Sequence, residues 1–106
     1  MARYLISGTY TAEGAKGLLA KGGTARRSAV EEMLKGLGGS VESFYFAFGG
    51  TDFFVVAEVP DAATAAAVAL TVSGTGGVRA TTTVLLTPEE IDQAMAKKVG
   101  YRPPGA

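Results

Sequence analysis

Residues 40–59, SVESFYFAFGGTDFFVVAEV, are the stretch that decides the fold. Two runs within it, 40–48 and 53–59, are rich in aromatic and β-branched residues, a composition typical of strands. The GGTD segment at 49–52 separates them and has turn chemistry, because glycine adopts positive φ and aspartate accepts backbone hydrogen bonds. The stretch therefore predicts an antiparallel β-hairpin.

The segments before the hairpin predict one strand and one broken helix. Residues 3–10 (RYLISGTY) are β-rich and end at Thr11, a suitable helix N-cap. The helical pattern that follows is interrupted at Gly22-Gly23, since each glycine costs roughly 1 kcal/mol in a helix interior. We expect Thr24 to cap the second piece, and Gly38-Gly39 to end it.

The segments after the hairpin predict a helix, a strand and a final helix. Asp61 is the expected N-cap of a helix whose body begins AATAAAVAL at 62–70. Residues 78–86 (VRATTTVLL) are rich in β-branched residues and predict a strand. The TPEE segment at 87–90 has the pattern of a capping box with proline at the first helical position, and its helix should run to about Val99.

This order of elements, β-α-β-β-α-β with an added helix, matches the ferredoxin-like motif. We therefore expect an α+β fold with an antiparallel sheet in strand order 4-1-3-2 and the helices of the motif on one face. A chain of 106 residues is long enough for one domain. We assign that domain to residues 1–99 and treat 100–106 as an irregular C-terminal tail, because paired prolines do not continue a helix.

The composition excludes several classes of chemistry. The chain has neither cysteine nor histidine, which excludes disulfides, thiolate nucleophiles, imidazole bases and zinc sites built on those ligands. Ten basic and ten acidic side chains give zero net charge, which argues against a nucleic-acid partner. We expect no metal and no cofactor.

Hydropathy argues against a membrane partner. The most apolar segment, 62–72, is far shorter than the roughly 20 residues that cross a bilayer. The N-terminal apolar run is also too short for the hydrophobic region of a signal peptide. We therefore expect a soluble cytoplasmic protein.

Alternation along the predicted strands divides the sheet into two faces. The more apolar set should meet the helices and form an ordinary core. The opposite set is mixed, and a small monomer seldom leaves such a patch open. Homo-oligomerisation through this face, with a C2 dimer as the simplest case, is the partner that the pattern predicts. Its expected members are Leu5, Ser7, Thr9, Tyr45, Phe54, Val56, Glu58, Arg79, Thr81 and Thr83.

Arg79 with Thr81 and Thr83 is the first candidate ligand site on that face. A guanidinium binds carboxylates in a bidentate manner, and threonine hydroxyls add hydrogen bonds, so this group suits a small anion. The alternatives are a cross-strand ion pair between Arg79 and Glu58, or a contact between subunits.

Three other residues are candidates for ligand binding or proton transfer. Glu58 and Tyr45 are the acid–base groups expected on the same face; a strand glutamate is alternatively solvated or ion-paired. Asp52 belongs either to a ligand-contacting loop or to a hairpin turn. Arg26-Arg27 lies near the start of a helix, where the helix dipole disfavours cations, so we expect Arg27 to pair with Glu31 and Arg26 to need an anion or a neighbouring subunit.

The stretch LGGSVESFYFAFGGTDFFVVAEVPD, with VRATTTVLLTPEEID, YRPPG and the ARRSAVEEM helix, resembles the GYD domain family of small bacterial proteins of uncharacterised function. The resemblance covers nearly the whole chain. The Gly-Tyr-Asp motif of that family falls on Gly50-Thr51-Asp52, where threonine replaces tyrosine. The resemblance implies a ferredoxin-like fold and oligomerisation, and it brings no established activity.

Besides a purely structural assembly protein, two functions remain open from the sequence. The first is an oligomeric module that binds a small molecule, or mediates protein interaction, through the mixed sheet face. The alternative is a cofactor-free enzyme of the dimeric α/β-barrel type that oxidises or isomerises a small apolar substrate. In that enzyme Arg79, Tyr45 or Glu58 would position the substrate in a common cleft.

Overall fold

The computed structural model describes residues 1–47 and 49–106. Within them, strands and helices follow the predicted order. The predicted second strand ends at Phe46, and Phe48, the last residue predicted for it, lies outside the described residues. The elements are β1 (Ala2–Tyr10), α1 (Ala12–Lys21), α2 (Gly23–Gly36), β2 (Ser40–Phe46), β3 (Phe53–Val59), α3 (Ala62–Gly74), β4 (Val78–Leu85) and α4 (Pro88–Ala96).

The four strands form one antiparallel sheet in the order β2-β3-β1-β4. This is the predicted order 4-1-3-2 read from the other edge, so the α+β ferredoxin-like prediction is confirmed. Strands β1 and β3 lie at the centre of the sheet, and β2 and β4 form its edges. A register shift between Val41 and Ser43 marks a β-bulge in β2, so these two residues lie on opposite faces of the sheet although they are two positions apart.

The first helix is broken, as predicted, and the break is at Gly22. Its φ of 86° lies in the region that favours glycine, and it ends α1 and begins α2 in one residue. The prediction that Thr24 caps the second piece is wrong. The carbonyl of Gly22 already accepts the first helical bond, from the Arg26 N–H at 3.2 Å, so α2 starts before Thr24.

The C-terminal end of α2 has the bonding pattern of a Schellman motif. The Gly39 N–H donates to the Leu34 carbonyl at 2.8 Å, and the Gly38 N–H donates to the Lys35 carbonyl at 3.1 Å. These two bonds satisfy carbonyls that the helix end leaves free. The predicted stop at Gly38-Gly39 is therefore confirmed, and the chain turns directly into β2.

The caps of the later helices are those that the sequence predicts. The Asp61 carboxylate accepts the Thr64 N–H at 2.8 Å, and Thr87 and Glu90 form a reciprocal capping box. The last helix ends at Ala96, three residues before the predicted Val99, because Lys97 adopts an extended ψ of 134°. Every residue of α4 is exposed, so no tertiary packing extends its last turn.

The core lies between one face of the sheet and helices α2 and α3. Leu34 of α2 and Ala57 of β3 have no exposed surface, and burial of each large aliphatic side chain contributes roughly 1.5–3 kcal/mol. This helix-facing side carries the set that alternation predicted for it. The buried residues are Tyr4, Leu34, Phe53, Val55, Ala57, Val59, Ala65, Val68 and Val78.

The molecule is elongated. Its radius of gyration is 16.8 Å and its longest dimension is 56 Å, whereas a compact chain of this length has a radius of about 13 Å. All residues from Pro88 onward are exposed, so the C-terminal helix and tail form an arm on the domain. None of the described helices has the length and hydropathy needed to cross a bilayer.

Candidate functional site

The strand register defines the sheet face opposite the helices, which we call the second face. Ser7 pairs with Phe54 on one side and with Thr81 on the other, and Leu5 pairs with Val56 and Thr83. The predicted face is therefore assembled in register, with additional members at one end. Its residues are Arg3, Leu5, Ser7, Thr9, Ser40, Ser43, Tyr45, Phe54, Val56, Glu58, Arg79, Thr81, Thr83 and Leu85.

The centre of the second face is apolar and open to solvent. Leu5 and Val56 lie side by side on the two central strands and are half-buried by their neighbours alone. Phe54 keeps 39% of its surface exposed and Tyr45, its partner on β2, keeps 69%. Helices α2 and α3 cover the opposite side of the sheet, so these side chains form an unpartnered apolar patch on the strands.

One end of the face carries an ion-pair network built on Arg3. Its Nε donates to Glu42 Oε2 at 2.6 Å and its Nη2 donates to Glu58 Oε1 at 2.7 Å. The hydrogen bond and charge of Glu42, with a further contribution from Glu58, raise the pKa of the guanidinium. Glu58 therefore pairs with Arg3 rather than with Arg79. Sequence reasoning missed Arg3, although counting back by two from Leu5 places it on this face.

The other side of the face is polar and lies on the edge strand β4. Arg79 pairs with Thr9, Thr81 with Ser7, and both members from β4 are exposed. We call Arg79, Thr81 and Thr83 the polar edge. They recur at every second residue of one strand, so their side chains follow one another along the same rim at about 7 Å intervals.

The three residues proposed to line an enzyme cleft lie far apart on one protomer. Arg79 pairs with Thr9 at one end of β1, whereas Glu58 pairs with Arg3 at its other end, roughly 20 Å away along the strand. Tyr45 lies on β2, at the sheet edge opposite β4. The fold thus groups Arg79 with hydroxyl side chains and Tyr45 with Phe54, and it separates both of them from Glu58.

Asp52 ties the hairpin turn to the end of β1. Its carboxylate Oδ2 accepts the Tyr10 N–H at 2.9 Å, and its own N–H donates to the Gly8 carbonyl at 2.8 Å. These bonds extend the pairing of β1 and β3 by one step beyond the ladder. These contacts match the hairpin-turn alternative for Asp52. They occupy one of the two carboxylate oxygens of this candidate ligand-binding residue.

Comparison with known proteins identifies the family and stops there. A search of curated proteins and a search of solved structures each gave no match. The profile of the GYD domain matches residues 4–95, which include all of the sheet but its first two residues and nearly all of α4. The matched segment contains the hairpin, the polar edge and the apolar patch. The chain therefore belongs to the GYD domain family.

Proposed function

We propose that this protein is a homodimeric binding module in which the second faces of two sheets pack against each other. The observation that carries the proposal is the unpartnered apolar patch of Leu5, Val56, Phe54 and Tyr45 on an otherwise folded sheet. A second copy is the simplest cover, because a C2 axis brings the same patch from both chains together.

The charges on the face fit this arrangement. Arg3 pairs with both Glu42 and Glu58, so the ionic end carries one net negative charge per chain, which belongs at the solvated margin of a dimer interface. Arg79 forms no ion pair with the described residues and lies at the rim, where a charge stays solvated. An apolar centre with a polar margin is the usual anatomy of a protein interface.

We assign the polar edge to ligand binding at the margin of this interface. Arg79 offers a guanidinium with free donors, and Thr81 and Thr83 offer hydroxyls on the same rim, a set that suits a small carboxylate. The wide separation of Arg79, Tyr45 and Glu58 favours this binding function over the cofactor-free enzyme, which needs them around one substrate.

Light scattering coupled to size exclusion tests the dimer. The wild-type protein should elute with about twice the chain mass of 10.8 kDa at micromolar concentration. Phe54→Glu places a charge in the patch and should give a monomer, and Leu5→Glu should do the same. The matched control is Leu70→Glu on α3, where the leucine is 76% exposed and away from the face, and it should stay dimeric.

A monomeric wild-type protein at micromolar concentration would contradict the dimer. So would dissociation by Leu70→Glu to the same extent as by Phe54→Glu, since the effect would then be independent of the second face. Circular dichroism on each variant establishes that the sheet is retained.

A separate measurement tests the polar edge. Benzoate, used as a carboxylate probe, should shift the backbone amide resonances of β4 in the wild-type protein, and Arg79→Met should reduce its affinity by about tenfold. Arg102→Met, which removes an exposed arginine of the tail, is the control and should bind like the wild type. Equal binding by the two variants would remove the polar edge from the proposal.

A further inference from the structure

A cleft opens on the helix side of the sheet, on the opposite face from the proposed dimer interface. It consists of an inner chamber of about 40 Å³ and two recesses that share the side chains of Tyr10 and Arg26 with it. One recess, about 260 Å³, lies between α2 and α3, and the other, about 310 Å³, lies between α1 and α2.

The inner chamber is apolar apart from two groups. Its walls come from the sheet and from α2 and α3, and Tyr10 and Arg26 supply the oxygen and nitrogen atoms of its side-chain lining. The remaining residues of the lining are all apolar. Met33 keeps 36% of its surface exposed, so the core is open to solvent between the helices here.

Arg26 is the unusual residue of this cleft. It is half-buried in the first turns of α2, where the helix dipole disfavours a cation, and it forms no ion pair within residues 1–47 and 49–106. Its neighbour Arg27, by contrast, is exposed and pairs with Glu31 at 3.7 Å. A half-buried guanidinium beside an apolar chamber is costly unless an anion compensates its lost hydration.

The other groups around Arg26 leave room for such an anion. Every charged residue that lines the cleft is a cation, since Lys21 of the α1–α2 recess is the one charged side chain besides Arg26. Burial raises the pKa of the Tyr10 phenol, while the adjacent Arg26 acts in the opposite direction. Tyr10 is therefore a neutral phenol at pH 7 that can donate a hydrogen bond, and its ring is held by Phe53 at 5.3 Å between centroids.

We propose that this cleft is a binding site for a small organic anion, with the apolar body of the ligand in the recess between α2 and α3 and its carboxylate or sulfonate on Arg26 and Tyr10. The site is independent of the dimer interface and of the polar edge, which lie across the sheet. The combination of an apolar wall with one convergent cation and one hydroxyl is typical of small-molecule sites.

A matched pair of fluorescent probes tests the proposal. Anilinonaphthalene sulfonate has an aromatic body and one sulfonate, and phenylnaphthylamine has the same body without the charge. The folded wild-type protein should bind the sulfonate more tightly. Arg26→Met should weaken sulfonate binding by about tenfold and leave phenylnaphthylamine within about twofold, because the variant removes only the charge-assisted contact.

Controls come from neighbouring positions on the same helix. Arg27→Met removes an equal charge outside the cleft and should leave both probes unaffected. Ala29 lines both recesses, so Ala29→Leu should weaken both probes, whereas Ser28→Leu adds the same volume at an exposed position outside the lining and should weaken neither. Thermal unfolding of each variant checks that the protein is folded at the temperature of the binding measurement.

The outcomes separate this site from the proposed dimer. Phe54→Glu, which disrupts the second face, should bind the sulfonate as the wild type does. Equal affinities for the two probes, equal effects of Arg26→Met and Arg27→Met, or equal effects of Ala29→Leu and Ser28→Leu would each overturn the site. If dissociation of the dimer by itself abolished sulfonate binding, the ligand would bind at the dimer interface, and the cleft would be overturned as the site.

Discussion

Asp52 illustrates how one side chain of the turn serves the sheet. Its carboxylate accepts the N–H of Tyr10, the last residue of β1, at a partly buried position. That N–H has no ladder partner from β3, because the pairing of these strands ends at Gly8 and Phe53. The carboxylate thus replaces a strand partner, which is the structural reason for an aspartate at the end of the turn.

Asp52→Ala should therefore destabilise the fold by about 1–3 kcal/mol, since it leaves a partly buried donor unsatisfied. Asp52→Asn is the matched variant, because it keeps an acceptor oxygen, and its loss should be smaller. Urea unfolding at neutral pH measures both. An alanine variant as stable as the wild type would show that the carboxylate has no structural role, and would return Asp52 to the candidate ligand residues.

Asp61, the N-cap of α3, gives a prediction about pH. Its carboxylate accepts the Thr64 hydroxyl at 2.7 Å and the Thr64 N–H at 2.8 Å, and these bonds lower the pKa of Asp61. A folded-state pKa below that of the unfolded chain stabilises the protein above the unfolded value, about 3.9, and this contribution is lost as the pH falls through the folded value.

Asp61→Asn keeps a capping oxygen and does not titrate, so its stability difference from the wild type should shrink as the pH falls from about 5 to about 3. Urea unfolding as a function of pH measures the stability difference. NMR titration of the Asp61 carboxyl shows directly whether its pKa is lowered in the folded protein. A constant difference across this range would mean that folding does not lower the pKa of Asp61.

Among the elements, α1 shows how two glycines on one helix can have opposite consequences. Gly14 lies against the loop before β4, and a Cβ there would overlap the Gly77 carbonyl oxygen. A Cβ on Gly17, one turn further along, would meet no atom within 4 Å. The close approach of α1 to the loop before β4 therefore requires glycine at position 14 but not at position 17.

Gly14→Ala should destabilise the fold by about 1–3 kcal/mol, because backbone atoms must move to admit the methyl group. Gly17→Ala should stabilise it by about 0.5–1 kcal/mol, because alanine loses less conformational entropy than glycine in a helix. Thermal unfolding of the two variants checks this contrast. Equal effects of the two substitutions would show that α1 does not pack on this loop as described.

At the scale of the whole molecule, the C-terminal arm lies outside the cooperative core. Every residue of α4 is exposed, although Ile91 and Met95 form an apolar pair one turn apart. The proposed interface uses the sheet and not this helix. The arm also explains why the radius of gyration of 16.8 Å exceeds that of a compact chain.

Deletion of residues 88–106 from the wild-type protein should therefore leave it dimeric. The same deletion in the monomeric Phe54→Glu variant should change the free energy of unfolding by no more than about 0.5 kcal/mol. Light scattering gives the mass, and urea unfolding the stability. A monomeric truncated protein would transfer the interface from the second face to α4, and a large loss of stability would show that the arm packs on the domain.

The order of elements, the hairpin, the helix break at Gly22 and the caps at Asp61 and Thr87 were determined by the sequence itself, because turn chemistry and capping act over a few residues. The separation of apolar and mixed sets onto two faces also followed from alternation, since side chains on a strand point alternately to opposite sides. The start of α2 was misplaced by sequence reasoning, because a glycine carbonyl accepted the first helical bond before Thr24.

The tertiary structure alone decided which side chains meet across strands. Register determines that Glu58 faces Arg3 and lies far from Arg79, and register depends on how whole strands slide past one another rather than on local pattern. The cleft at Tyr10 and Arg26 likewise exists because α1, α2 and α3 leave a gap above the sheet. Sequence periodicity gives the face of each helix but not the spacing between helices, which their packed side chains determine.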